Sequence, residues 1–243
     1  MGQRRTRGRA SGGITATVDR AEALRSGLDA ILAVALGASC ASCGEILEQP
    51  SRGPVCPTCW RSVDATIPCL FGVSGAIDDA AALGLYDGAL RSIIHSLKYE
   101  GRRSLAQPIA TRIRARCRTV LDGADVAVAV PLHPSRRRER GFNQAFDLAR
   151  GLGLPVRRVL RRVRATESQT ALSVTERQRN VSRAFAPSRL SWLRRGIRGR
   201  VVVLVDDVST TGATLNECAV VLKELGAREV RAVTAAKVVT VPR

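Results

Sequence analysis

Aromatic side chains are scarce in this chain: Phe, Trp and Tyr together make up 3% of 243 residues. That scarcity argues against a dedicated single-strand nucleic-acid binder, which needs a platform of rings for successive bases. Apolar residues still reach 45%, so the core must be mostly Val, Leu, Ala and Ile. Lysine is rarer still: Lys98, Lys223 and Lys237 are the only three among 39 basic residues. Long apolar runs are missing too. The longest, Leu28 to Leu36, contains Asp29 and falls far short of the roughly 20 residues a membrane span needs. A basic N-terminus, an apolar stretch and Gly37-Ala38-Ser39-Cys40 faintly outline a lipoprotein signal, but a glycine stands three before the cysteine. The expectation is a cytoplasmic chain without membrane insertion. No Gly-Lys-Ser/Thr triplet closes a glycine-rich loop, which excludes a Walker-type nucleotide site.

Positive charge is abundant. The formal net charge is +18, a field that favours nucleic acid or a ligand carrying phosphate and pyrophosphate; a solvated Arg-rich surface is the plainer alternative. The length suits one α/β domain plus a small module. Residues 1–19, rich in Arg, Gly, Ser and Thr with no apolar period, read as a disordered basic arm. Ala21, Leu24, Leu28, Ile31, Leu32 and Ala35 recur at helical spacing, predicting a short helix over 20–36. Strands are expected at 81–86, 125–131, 155–160, 201–205 and 229–235. Helices are expected from Leu90, over 104–117, from Asn143 and over 213–225, with Pro108 marking a nearby start or a kink. This alternation predicts an α/β fold with a mainly parallel sheet flanked by helices. Its ligands would sit beyond the C-terminal strand ends, where Pro131 and Asp206 stand. The expected domains are 20–75, the helix with a cysteine module, and 76–243, the α/β domain.

The most informative stretch is Val201 to Val220. Five apolar residues, Val201 to Val205, end in Asp206 and Asp207; then come Val208, Ser209, Thr210, Thr211, Gly212, Ala213 and Thr214, and a helical pattern begins. Successive backbone N–H groups and the positive end of a helix can hold a phosphate. Ser209, Thr210, Thr211 and Thr214 offer hydroxyl donors. The two carboxylates suit vicinal ribose hydroxyls, or a Mg²⁺ ion beside them. The plainer alternatives are an acid pair that starts a turn and a Thr-Gly turn that caps a helix.

Cys40-x-x-Cys43 and Cys56-x-x-Cys59 form two pairs twelve residues apart. Each turn aims two sulfurs at one point, and four thiolates suit a tetrahedral, structural Zn²⁺ site with no open position. Redox dithiols or disulfides are the alternative. Cys69, Cys117 and Cys218 are left over, and Cys218 reads as a small buried apolar residue.

Pro131, Leu132, His133, Arg136, Arg137 and Arg140 belong to a rigid cationic loop after the strand at 125–131. Arg matches phosphate oxygens in a bidentate way, so pyrophosphate is the natural partner. His133 is equally a turn histidine. Residues 164–185, with Gln169, Arg177 and Asn180, carry polar groups and a few apolar anchors. They suit a lid that would exclude water from a reactive sugar cation, or an ordinary exposed loop.

The acid-to-Thr214 stretch resembles the signature of the type I phosphoribosyltransferases, which bind 5-phosphoribosyl-1-pyrophosphate (PRPP). The resemblance implies that Asp206 and Asp207 contact the ribose hydroxyls and that Ser209, Thr210, Thr211, Gly212, Ala213 and Thr214 wrap the 5′-phosphate. Adding the paired CxxC, Leu97-Lys98-Tyr99-x-Gly101, Arg140-Gly141-Phe142-Asn143-Gln144, Gln169-x-x-Leu172 and Arg177-x-x-Asn180, the chain is similar over residues 38–238 to the ComF/GntX family. The Arg-rich arm and Ser209 depart from its pattern. This resemblance implies a type I phosphoribosyltransferase-like domain behind an N-terminal zinc-ribbon module, with a PRPP-like ligand and Mg²⁺. For some members it implies single-stranded DNA uptake with a helicase partner. Two functional readings follow. One is a phosphoribosyltransferase releasing pyrophosphate, its acceptor unspecified and no general base evident. The other is a non-catalytic component of DNA handling.

Overall fold

The computed structural model describes residues 29, 37–71, 75–163, 184–190 and 195–239. The basic arm, the helix expected over 20–36 (Asp29 apart) and the polar stretch 164–183, with Gln169, Arg177 and Asn180, lie outside the described residues. In chain order the elements are α1 (Pro57–Asp64), β1 (Cys69–Leu70), β2 (Asp79–Leu85), α2 (Gly88–Tyr99), α3 (Ala106–Arg116), α4 (Arg118–Leu121), β3 (Val126–Ala129), α5 (Pro134–Arg140), α6 (Gln144–Gly151), β4 (Leu160–Arg162), β5 (Phe185–Pro187), β6 (Val201–Ser209), α7 (Ala213–Glu224) and β7 (Glu229–Lys237).

The main sheet has the order β1-β2-β7-β6-β3. Only the β1–β2 pairing is antiparallel; β2–β7, β7–β6 and β6–β3 run parallel. Side chains alternate across β6 with the period of two that a strand imposes. Val203 and Val205 join a buried cluster with Ile93, Ile94 and Leu97 of α2, Ile109 and Ile113 of α3 and Leu148 of α6. Val202 and Leu204 face the other way, onto Leu215, Cys218 and Leu222 of α7. Helices therefore cover both faces, as expected of a parallel sheet. β3 ends at Ala129, opposite Val205 of β6, while β6 stays paired with β7 as far as Ser209, so the loop after β3 starts alongside the last residues of β6.

Several boundaries differ from expectation for local reasons. β6 runs four residues past Val205, because β7 continues beside it and pairs Ser209 with Lys237. The strand expected at 155–160 is a bridge at Val156 to Ala127, with β4 beginning only at Leu160 and pairing with β5 in a separate hairpin. The loop after β3 contains a helix, α5: His133 caps it, its Nδ1 accepting from the Ser135 N–H, and Pro134 occupies the first turn, where a missing N–H costs nothing. Pro108 sits in the first turn of α3 for the same reason, after a short 3₁₀ turn at Arg103–Leu105.

The cysteine module shares the core of the larger domain. Cys40, Leu47, Val55 and Val63 belong to the same buried cluster as Ile93 and Ile109. Ser96 Oγ donates to the Ala41 carbonyl at 2.9 Å, Arg102 Nη1 to that of Ser39 at 3.0 Å and Arg116 Nη1 to that of Val63 at 2.9 Å. The Arg112 guanidinium lies 3.6 Å from the Trp60 ring centre and pairs with Asp64 at 3.2 Å.

The approach of α6 to α3 leaves no room at Gly151, where a Cβ would stand 2.4 Å from the Ala110 Cβ and 2.9 Å from Gln107 Oε1. Gly151→Ala is therefore expected to lower stability by about 1–3 kcal/mol through overpacking, against the gain of about 1 kcal/mol that Ala ordinarily brings inside a helix. Urea unfolding checks this; a more stable variant contradicts the packing.

Candidate functional site

The C-terminal half of β6 carries two acids held very differently. Asp207 Oδ1 is 2.8 Å from Lys98 Nζ at the end of α2, and both side chains are largely buried. Burial alone would lower the pKa of the Lys98 ammonium, but Asp207, with Asp206 behind it, holds it above its usual value. Asp206 accepts the Asp207 N–H at 2.9 Å. Burial, and then the Asp207 charge, push its carboxyl up to about 7.

The turn that follows has the form its residues predict. Gly212 takes φ 80°, a left-handed backbone that a side chain would strain, and α7 starts at Ala213 with no side chain capping Gly212. Thr211 Oγ1 accepts the Ala213 N–H at 3.4 Å. Thr210, Thr211 and Thr214 are partly exposed. Ser209 is not: as the last residue of β6 it is 3% exposed, and its hydroxyl has no hydrogen-bond partner among the described residues. The extra length of β6 puts the Ser209 hydroxyl inside the ladder, less exposed than those of the threonines. Lys237 Nζ donates to the Thr210 carbonyl and lies 5.0 Å from the Phe71 ring centre.

The cationic segment stands next to this turn. The Arg162 guanidinium on β4 has its pKa lowered by burial and then by Arg136 of α5, while Asp206 acts in the opposite direction. Arg140 stacks 5.1 Å from the Tyr99 ring centre, one residue beyond Lys98. Asn143 fixes the start of α6, its Nδ2 donating to the Val130 carbonyl at 3.0 Å and its Oδ1 accepting from the Phe146 N–H. Gln144 beside it is fully buried, and neither end of its amide has a partner among the described residues; such a group costs about 1–3 kcal/mol. Lys98, Arg162 and Lys237 were not singled out as site residues from sequence.

Pro131, Leu132 and Arg137 border a second feature, a cleft of about 350 Å³ whose lining includes Arg103, Arg137, Arg150, Arg157 and Arg158. Arg158 stacks 4.1 Å from the Phe146 ring centre, and Arg103 forms a bidentate pair with Asp147 at 2.9 and 3.1 Å. His95 is on the surface beside Tyr99 and Glu100.

Cys40, Cys43, Cys56 and Cys59 bring their sulfurs within 4.8 Å of one another, and none of them is in a disulfide. Gly44, at φ 79°, lets the first knuckle fold back so that its N–H reaches the Cys40 carbonyl at 3.0 Å. Cys40 Sγ accepts N–H groups of Ser42 and Cys56 at 3.4 and 3.3 Å, and Cys56 Sγ accepts that of Cys59 at 3.4 Å. Cys43 and Cys56 sulfurs lie 3.9 Å apart, close to the ~3.8 Å that a tetrahedron with metal–sulfur bonds of about 2.3 Å requires. The cluster can hold a metal ion.

Residues 138–239 match the phosphoribosyl transferase domain. Together with the sheet and the cysteines, this defines a type I phosphoribosyltransferase fold with an N-terminal zinc-ribbon-like cluster. Over 164 residues the chain is 34% identical to "Competence protein F" of Haemophilus influenzae, spanning 63% of this chain and 70% of that protein. Over 205 residues it is 32% identical to "DNA utilization protein YhgH" of Salmonella typhimurium, spanning 79% and 87%. With "Competence protein ComFC" of Streptococcus pneumoniae it shares 25% over 201 residues, 79% and 84% of the two chains. The chain belongs to the ComF family. No helix among the described residues is long and apolar enough to cross a membrane.

Proposed function

We propose that the protein binds PRPP or a related phosphorylated ribose at residues 206–214. The observation that carries this is the junction of β6 and α7: two acids in the C-terminal half of β6, then a left-handed glycine and a helix whose first N–H, that of Ala213, is met by Thr211 Oγ1. The 5′-phosphate would lie against Ser209, Thr210, Thr211, Gly212, Ala213 and Thr214, and the ribose hydroxyls against the acids. The pyrophosphate would be met by the arginines of α5, Arg136, Arg137 and Arg140; the influence of Arg136 and Asp206 on Arg162 supports adding Arg162 to them. Gln169, Arg177 and Asn180 are proposed as lid residues. If the phosphoribosyl group is transferred with release of pyrophosphate, the chain's task is electrostatic: it orients the ribose and stabilises the departing anion. Zn²⁺ is the metal proposed for the four cysteines. It would have a structural role, since four thiolates leave no position for substrate.

A second reading, DNA handling, is favoured by the arginine cleft. Arg137, Arg150 and Arg157 form no ion pair with a carboxylate among the described residues, and two relatives are named for DNA utilization and competence. One experiment separates the readings. Titration with PRPP and Mg²⁺ is expected to show saturable binding that Asp206→Asn plus Asp207→Asn weakens by on the order of 100-fold. Labelled single-stranded DNA should bind that double variant unchanged. It should lose affinity steeply with salt, by a log–log slope of about 0.7 per phosphate contacted, and that slope should shrink in Arg150→Gln plus Arg157→Gln. PRPP binding indifferent to the acids would overturn the first reading.

A further inference from the structure

The fold family implies Mg²⁺ beside the acid pair, and the residues present do not fit a metal held by those acids. Mg²⁺ requires oxygen ligands at about 2.1 Å in near-octahedral geometry, free to turn towards it. Lys98 Nζ already sits 2.8 Å from Asp207 Oδ1, with the two side chains only 14% and 13% exposed. Asp206 is engaged by the Asp207 N–H. Mg²⁺ is commonly held by only one or two carboxylates with water and ligand oxygens, so the misfit lies in the ammonium already seated on Asp207.

We propose that Lys98 is the resident counter-cation of the Asp206–Asp207 pair, so that the turn at 209–214 takes a phosphorylated ribose without a divalent metal. Mg²⁺ is then needed only by the pyrophosphate of a ligand that carries one. The proposal rests on the phosphoribose reading and specifies its ligand class: a pentose 5-phosphate is sufficient.

Three observations converge on it. First, two carboxylates next to a bound phosphate would repel it, and in a partly buried site that repulsion is felt at an effective dielectric well below that of water; the Lys98 ammonium against Asp207 offsets it. Second, Lys98 is rigidly delivered. It follows Leu97, which is fully buried, on a helix anchored by Ile93 and Ile94. Third, the residue type is telling. All but three of 39 basic residues are Arg, yet two of the three lysines close on this segment, Lys98 on Asp207 and Lys237 on the Thr210 carbonyl. A guanidinium is a broad planar fork; an ammonium is a compact point charge that fits where a metal ion would.

The test is calorimetric titration of the full chain with ribose 5-phosphate and with PRPP, each with Mg²⁺ and in metal-free buffer prepared without chelator, so that the cysteine site keeps its metal. The wild type is expected to bind ribose 5-phosphate with the same Kd, within about twofold, in both buffers, and PRPP more tightly with Mg²⁺. Lys98→Met is expected to lose on the order of tenfold in ribose 5-phosphate affinity without metal and to regain part of it with Mg²⁺. Lys98→Arg should fall between the two. Metal-dependent binding of ribose 5-phosphate by the wild type overturns the proposal while leaving the phosphoribose reading intact. So does a folded Lys98→Met that binds as the wild type does without metal. The wild-type comparison stands even if a variant fails to fold. Absence of any binding of either ligand overturns the phosphoribose reading and this proposal with it.

Discussion

Cys56→Ser is expected to abolish stoichiometric zinc and to lower the melting temperature by about 10 °C or more. Cys56 does two jobs: its sulfur belongs to the four-thiol cluster, and it caps α1 by accepting the Cys59 N–H. The thiols themselves favour a divalent ion. Burial works to raise the Cys40 thiol, yet N–H groups from Cys56, Cys43 and Ser42 overcome it and bring the pKa down to about 6. Burial and the neighbouring sulfurs push Cys59 up to about 12. One thiolate therefore forms easily, and the last is resisted until a cation compensates the crowd. Structural zinc contributes about 10–16 kcal/mol in isolated zinc-finger peptides, comparable with the 5–15 kcal/mol by which whole domains are stable. Even a loss of about 4 kcal/mol shifts the melting point of a chain this size by roughly 10 °C. The damage should spread, because Cys40, Val55 and Val63 are continuous with the core under α2 and α3. Elemental analysis and scanning calorimetry test this, with Cys69→Ser, outside the cluster, expected to keep its zinc. Unchanged metal content in Cys56→Ser would contradict the assignment.

What could be read before the fold was known depended on how local the cause was. The cysteine pairs were legible because each CxxC turn places its own sulfurs. The apolar run Val201 to Val205 was legible because a short, mostly β-branched run suits a buried strand. The end of β6 was not: Asp206 and Asp207 look like the start of a loop, and only the neighbouring β7, extended to Lys237, keeps them in the ladder as far as Ser209. The prolines and arginines of 131–140 suggested a loop, although Pro134 behind a capping His133 is also how a helix begins. Lys98 was visible as part of a motif without a role, since its partner lies far along the chain and meets it only when α2 packs under β6. Arg162 gave no signal at all among so many arginines; its place near Asp206 follows from the β4–β5 hairpin. The core shared by the cysteine module and the sheet is likewise a long-range fact.

Stability and ligand binding are expected to move in opposite directions as pH rises towards 7, and Asp206 is the reason. In the unfolded chain its carboxyl loses its proton near 3.8; in the folded chain burial, and then the charge of Asp207, hold the proton up to about 7. Between those values the folded state binds more protons, so stability falls with rising pH. The contribution is complete below 3.8 and lost as pH passes through 7, with a slope of at most about 1.4 kcal/mol per pH unit for one proton. Asp78 does not confuse this window. Burial works to raise it, but Lys223 at 2.6 Å and the Val230 N–H hold it below 3.8, so its contribution is lost only as pH falls below that value. Denaturant titrations at pH 5, 6, 7 and 8 should therefore show a decline that Asp206→Asn flattens. Ribose hydroxyls, in contrast, need an ionised acceptor, and the affinity for ribose 5-phosphate should rise through the same interval. Asp207→Asn removes the charge that helps raise Asp206 and should move both curves to lower pH together. Curves that shift independently would mean that different groups govern folding and binding, and that Asp206 is not the acid that receives the sugar.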